Sequence, residues 1–191
     1  PDVAADMYLA AEEKMDALDY RHYEISNWAK PRFESRHNLA YWRNQPYLGV
    51  GPGAHSYLNG MRFANIRSPK EYVRLLGLEQ TTGTVNELDE TLIRTQPILD
   101  TLEVIEPHLE MAETMMMGMR LDTGVSEEEF VKRFGITIEE AYGAEIFELT
   151  RDGLIQFSDG TARLTPRGRL LGNRVFSRFF QDKRDMSALL Q

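Results

Sequence analysis

The sequence predicts an α/β protein whose last part is a mostly helical, winged-helix-like module. Two observations carry the α/β part. An amphipathic stretch at 4–18 runs straight into a β-branched and aromatic stretch at 20–26, the helix-then-strand order of repeating α/β structure, and a second helical stretch at 34–43 precedes a glycine-rich loop and a hairpin. A third observation carries the module: helical stretches beyond residue 108 are followed by two short strand-like runs joined by Ser158-Asp159-Gly160. The 191 residues are 42% hydrophobic and 27% charged, enough apolar material to bury a core in one or two domains.

Each element has a local reason. Met7, Ala11, Met15 and Leu18 recur at helical spacing in the first stretch, and His37, Leu39, Tyr41 and Trp42 sit in the second. Residues 47–50 read as a strand leading into Gly49-Val50-Gly51-Pro52-Gly53-Ala54, and Asn59-Gly60 marks a tight hairpin turn. Ser68-Pro69 opens a helix through Leu78, with Ser as the cap and Pro at the first position. Between 81 and 107 the pattern weakens and Pro97 and Pro107 interrupt it, so the expected division is 1–80, an acidic linker or insertion at 81–107, and 108–191. Beyond it come a methionine-rich helix to Leu121, a helix opened by a capping box at Ser126-Glu127-Glu128-Glu129, a helix at 137–152, the hairpin at 154–164, and a last helix capped by Thr165-Pro166 and running to about Phe180.

Composition excludes several chemistries. Without cysteine there is no disulfide, no Cys-ligated zinc and no thiolate for an iron–sulfur cluster. No apolar run reaches the roughly 20 residues of a membrane span, and the start lacks the basic-then-apolar order of a secretory signal, so the expected location is cytoplasmic. The net charge of -8 speaks against general polyanion binding, although eight basic residues against three acidic ones between Arg151 and Arg184 leave one basic region. There Arg167, Arg169, Arg174 and Arg178 would grip phosphates if the wing lay on nucleic acid; a solvated basic face is the plainer reading.

Two constellations remain. Gly49 to Ala54 satisfies the letters of a dinucleotide-binding loop, but a hairpin follows where a helix is required, so close chain packing is the simpler account of these glycines. In His37-Asn38-Leu39-Ala40-Tyr41-Trp42, a helix sets the imidazole of His37 beside Tyr41 and Trp42. An imidazole nitrogen can ligate heme iron while aromatic rings cover the macrocycle and Asn38 orients the ring; core packing of the aromatics is the alternative. The consecutive methionines 115–117 point in different directions and suit a core rather than a metal, and His22, His37, His55 and His108 lack zinc spacing.

Three stretches taken together resemble one family: Tyr23-Glu24-Ile25-Ser26-Asn27-Trp28-Ala29-Lys30-Pro31, Ser35-Arg36-His37-Asn38-Leu39-Ala40-Tyr41-Trp42-Arg43, and Tyr47-Leu48-Gly49-Val50-Gly51-Pro52-Gly53-Ala54-His55-Ser56. The family is the oxygen-independent coproporphyrinogen III oxidase-like proteins of the radical SAM superfamily. The likeness continues through residues 113–121 and 164–171. Within it, His-Asn-x-x-Tyr-Trp is associated with the heme chaperone branch, HemW, rather than with the decarboxylating oxidase.

The resemblance implies the end of a partial (β/α) radical SAM barrel followed by the helical and winged domain. It implies His37 as axial ligand, with Asn38, Tyr41 and Trp42 as heme contacts, and Gly49, Gly51, Gly53, Ala54 and His55 near S-adenosylmethionine. The expected partners are heme or a porphyrin and an apo-hemoprotein recipient. The family's cluster-binding cysteines precede the matching region and are absent here, so the chain is expected to be a C-terminal piece that cannot itself cleave S-adenosylmethionine reductively. Strands at 20–26 and 47–50 would then present open barrel edges, through which a second copy could pair. A fragment of the oxidase, or a winged nucleic-acid or protein-interaction module, are the competing readings.

Overall fold

The computed structural model describes residues 2–78, 93 and 96–180. In chain order the elements are α1 (Asp2–Asp16), β1 (Arg21–Glu24), β2 (Asn27–Ala29), α2 (Arg36–Trp42), β3 (His55–Leu58), β4 (Met61–Asn65), α3 (Pro69–Leu78), β5 (Leu99–Val104), α4 (Pro107–Gly118), β6 (Val125–Ser126), α5 (Glu127–Phe134), α6 (Ile138–Arg151), β7 (Ile155–Ser158), β8 (Thr161–Leu164), α7 (Pro166–Leu170), α8 (Gly172–Phe176) and a 3₁₀ turn (Ser177–Phe180). They fall into two compact units, one of Pro1–Asn44 with Met111–Gln191 and one of Gln45–Glu110. This partition cuts across the division expected from charge and proline. The first 44 residues group with the winged module, because the backbone of the β1–β2 turn bonds to it: the Ile25 amide donates to the Arg120 carbonyl at 2.8 Å and the Asp122 amide to the Tyr23 carbonyl at 3.2 Å.

The larger unit is built on the winged module. Its sheet has the order β6-β8-β7, all antiparallel, and Asp159 and Gly160 turn the β7–β8 hairpin with φ of 50° and 64°, the backbone that a two-residue turn between twisted strands needs. Ser126 caps α5 through the Glu129 amide, and Gly135 ends it in the left-handed conformation. The reciprocal capping box lies one helix later than expected, at Thr137 and Glu140 of α6. Met111 and Met115 of α4, and Met119 just after it, recur every four residues on one face. All three are fully buried with Phe130, Ile138, Tyr142, Leu154, Val175 and Phe179. The expected last helix is instead two short helices and the 3₁₀ turn, broken at Leu171, whose φ of −113° is not helical. Residues 20–26 do not form one open strand: β1 pairs antiparallel with β2, and Glu24 also bridges to Leu121, so that part of the expected barrel edge is paired within the chain.

In the smaller unit β3, β4 and β5 form an antiparallel sheet in that order, with the β3–β4 turn at Asn59-Gly60 as anticipated. Residues 47–50 are not a strand; Tyr47 makes a single bridge to Tyr57. Conversely β5 lies inside the stretch expected to be a linker. Leu99 and Leu102 pack on Met61, Phe63 and Ile93, while Asp100 and Glu103 are exposed, so the charge of its outer residues hid an edge strand. Most of the rest of that stretch lies outside the described residues. No helix among the described residues is long and apolar enough to cross a membrane.

Candidate functional site

The motif His37-Asn38-x-x-Tyr41-Trp42 occupies α2, a helix of seven residues that starts where Ser35 adopts an extended conformation and its hydroxyl accepts from the Asn38 amide at 3.3 Å. His37 and Tyr41 are one turn apart, and their rings meet edge to face with centroids 4.7 Å apart. Trp42 is five residues from His37, roughly 140° around the helix axis, and it points elsewhere. The Arg120 guanidinium carbon stands 5.3 Å from the Trp42 ring centroid and 4.4 Å from that of Phe176. Burial lowers the pKa of Arg120 from the ordinary arginine value, and the Glu24 carboxylate opposes that shift.

The two sides of α2 therefore differ in kind. The inner side is fastened: Trp42 and Arg43 line a groove of about 490 Å³ with Thr114, Gly118 and Arg133, and just past the helix Asn44 is buried with its side-chain amide donating to Thr114 Oγ1 at 3.1 Å. The outer side carries His37, which is exposed and whose ring nitrogens make no hydrogen bond among the described residues. Asn38 is half-buried, and its side-chain amide does not bond the imidazole, so the orientation of His37 comes from Tyr41.

Three further side chains lie in the turn before α2 or at its first position. Arg32, Phe33 and Arg36 are all exposed, Phe33 at 82% of its full area, and neither guanidinium is paired among the described residues. Sequence reasoning passed over them, since a lone aromatic between charged residues carries no mark of whether it is buried or exposed.

Gly49, Gly51, Gly53, Ala54 and His55 belong to the smaller unit, apart from the motif residues in the chain's division. Their amides are used within the loop's own surroundings. Gly49 N–H donates to Ser56 Oγ at 2.9 Å, Gly51 N–H to the Tyr72 hydroxyl at 3.1 Å, Gly53 N–H to the Ile66 carbonyl and Ala54 N–H to the Gly51 carbonyl. The buried Asn65 side chain donates to the carbonyls of Gly49 and Gly51 at 3.3 and 2.9 Å. A Cβ on Gly49 would strike the His55 carbonyl, and Gly51 and Gly53 hold φ of 107° and 69°, so close chain packing accounts for these glycines. His55 opens β3 and is exposed. The family's iron–sulfur cluster does not fit this chain, which offers no thiolate, and among the described residues no cluster of His, Asp or Glu could hold a metal instead.

The basic C-terminal region proves to be internally engaged. Arg167 donates to the Asp152 carbonyl, Arg174 pairs with the Asp152 carboxylate at 3.2 Å, Arg178 with Glu148, and Arg169 with Glu12 and Asp122 at 2.8 and 3.6 Å. Four arginines that stitch their own unit together are poorly placed to grip a phosphate backbone.

The chain resembles known proteins over most of its length. The HemN C-terminal domain family matches residues 105–171. The protein named heme chaperone HemW from Bacillus subtilis is 36% identical over 175 residues, which is 92% of this chain and 42% of that protein; the HemW of Lactococcus lactis is 34% identical over 181 residues, 95% of this chain and 43% of that one. A bovine relative, radical S-adenosyl methionine domain-containing protein 1, mitochondrial, is 31% identical over 163 residues, 81% of this chain and 34% of its own length. Among solved structures, the Escherichia coli coproporphyrinogen III oxidase (HemN), described as a radical SAM enzyme, has the same fold at a TM-score of 0.62 and 13% identity, over 94% of this chain and 41% of that one. The chain thus spans about two fifths of the length of these HemW proteins. Motif, domain match and relatives agree, and the chain belongs to the oxygen-independent coproporphyrinogen III oxidase-like family, on its HemW side and as the C-terminal part.

Proposed function

We propose that this chain supplies the heme-binding part of a heme chaperone, with His37 as an axial ligand of the iron, and that the whole protein passes heme to an apo-protein. The observation that supports it best is the state of His37: a solvent-exposed imidazole with no hydrogen bond among the described residues, steadied by Tyr41 on a helix whose opposite side is fastened through Trp42 and Asn44. An imidazole with a free nitrogen lone pair is what ferric or ferrous heme needs. Trp42 contributes by holding α2 in place, and Tyr41 restricts the imidazole so that less freedom is lost on ligation. The relatives named heme chaperones point to the same cargo.

Titration of the 191-residue chain with hemin should produce a heme absorption band, and the His37→Ala variant should bind at least about tenfold more weakly with an altered band, because the iron loses a ligand. His55→Ala, an exposed histidine in the other unit, serves as the control and should bind like the wild type. Equal affinity and identical bands for wild type and His37→Ala would remove His37 from the role.

A further inference from the structure

We propose that Arg32 and Arg36 hold the two carboxylate side chains of the tetrapyrrole and that Phe33 lies against its apolar plane, an inference that rests on His37 being the iron ligand. Heme is a flat apolar disc with a metal at its centre and two carboxylates on one edge. A surface that receives it must offer a lone pair, an aromatic ring and a pair of cations within a short reach, and residues 32–37 offer all of these in six consecutive positions.

The state of each side chain singles it out. The Arg32 backbone has φ of 74°, a conformation that glycine adopts freely and an arginine does not. Nothing in the fold rewards an arginine there, since its guanidinium is unpaired among the described residues and exposed. The turn around it is nonetheless well fixed: the Phe33 amide donates to the Lys30 carbonyl at 2.9 Å, and the Arg32 amide donates to Glu34 Oε1 at 3.1 Å. Glu34, the nearest acid in the chain, is thereby turned to the backbone rather than to either guanidinium. The turn holds the Phe33 ring out in water, where an apolar ring is stable only by default.

Arg36 is the first residue of α2 and stands roughly 100° around the axis from His37, on the side of it that is away from Trp42. Arg36, His37 and Tyr41 therefore occupy one half of the helix surface, and Asn38, Leu39 and Trp42 the other. Open cations occur elsewhere in the described residues too, Arg67 and Arg163 among them, so it is the closeness of Arg32, Phe33 and Arg36 to His37 in the sequence that suits a guest carrying two negative charges.

The test compares hemin with its dimethyl ester, which keeps the iron and the plane but lacks the carboxylates. The wild-type chain should prefer the free acid by about three- to tenfold, the scale of one or two exposed charge-assisted contacts. The Arg32→Gly, Arg36→Gln double variant should lose that preference while keeping the spectrum of His37 ligation, and Phe33→Ala should weaken both forms about equally. Arg32→Gly alone should bind hemin more weakly while its Tm stays level or rises, because glycine relieves the left-handed backbone. A wild-type chain that binds acid and diester equally, or a double variant that retains the preference, overturns this inference and leaves His37 as ligand untouched. A wild-type chain that binds neither form removes this inference and the heme reading together.

Discussion

The two units of this chain balance apolar packing and polar anchoring differently. The larger one is filled by volume: Met111, Met115, Met119, Ile138, Ala162 and Val175 are sealed from solvent in a single apolar cluster. Each unit also buries two polar side chains, Glu24 and Asn44 in the larger and Ser56 and Asn65 in the smaller, and in the smaller one, where the apolar cluster is small, the pair bonds the backbone of the glycine loop directly. Beside them stands a modest apolar group of Met61, Phe63 and Ile93. A core made by packing tolerates loss of one hydrogen bond and suffers from a void; a loop anchored by two side chains does the reverse.

Three measurements put that contrast at risk. The largest effect is expected for Met115→Ala, which leaves a cavity in the larger unit and should cost about 2–5 kcal/mol in denaturant unfolding. A loss below about 1 kcal/mol would mean the cluster collapses around the gap and is not packed as described. Next, Asn65→Ala removes two donors to the carbonyls of Gly49 and Gly51 and should cost about 1–3 kcal/mol. Its signature should be local: faster hydrogen exchange at the amides of Gly49, Gly51 and Gly53, with the amides of α4 unchanged. Exchange that stays slow in the loop would show that Asn65 is not its anchor.

The smallest effect concerns the surface of the larger unit. Glu140 accepts from the Thr137 amide at 2.7 Å and from its hydroxyl at 2.9 Å, and these bonds hold its carboxyl below the ordinary glutamate value. Its contribution is present in full above the unfolded value of about 4.3 and is lost as the pH falls through the lower folded one. Glu140→Ala should therefore flatten the acid limb of the stability curve between those two values and leave its neutral part otherwise parallel. An unchanged acid limb would show that the capping box does not persist in solution.

What the sequence made legible follows the same contrast. Helical spacing of methionines, Ser, Thr and Pro caps, and the Asn59-Gly60 and Asp159-Gly160 turns are local signals, and each matches an element. The strand Leu99–Val104 was hidden because an edge strand carries its charge outward and only two leucines inward, too few to outweigh the acidic background. Residues 20–26 looked like one strand since nothing in their composition announces a turn at Ile25-Ser26; the bond from the Ile25 amide to the Arg120 carbonyl, nearly a hundred residues away, is what sets it. Of the candidate site, the pairing of His37 with Tyr41 was readable from a spacing of four. The turning of Trp42 to the far side follows from a spacing of five, and the partner it finds there, Arg120, is a tertiary fact that no local pattern contains.

That partner has a broader consequence. Arg120 stands over Trp42 from the motif helix and over Phe176 from α8, and its own carbonyl receives the first hairpin. One residue thus ties together three segments, two near the start of the chain and the third more than a hundred positions later. Loss of that one side chain would therefore unfasten the motif helix and the last described turns together.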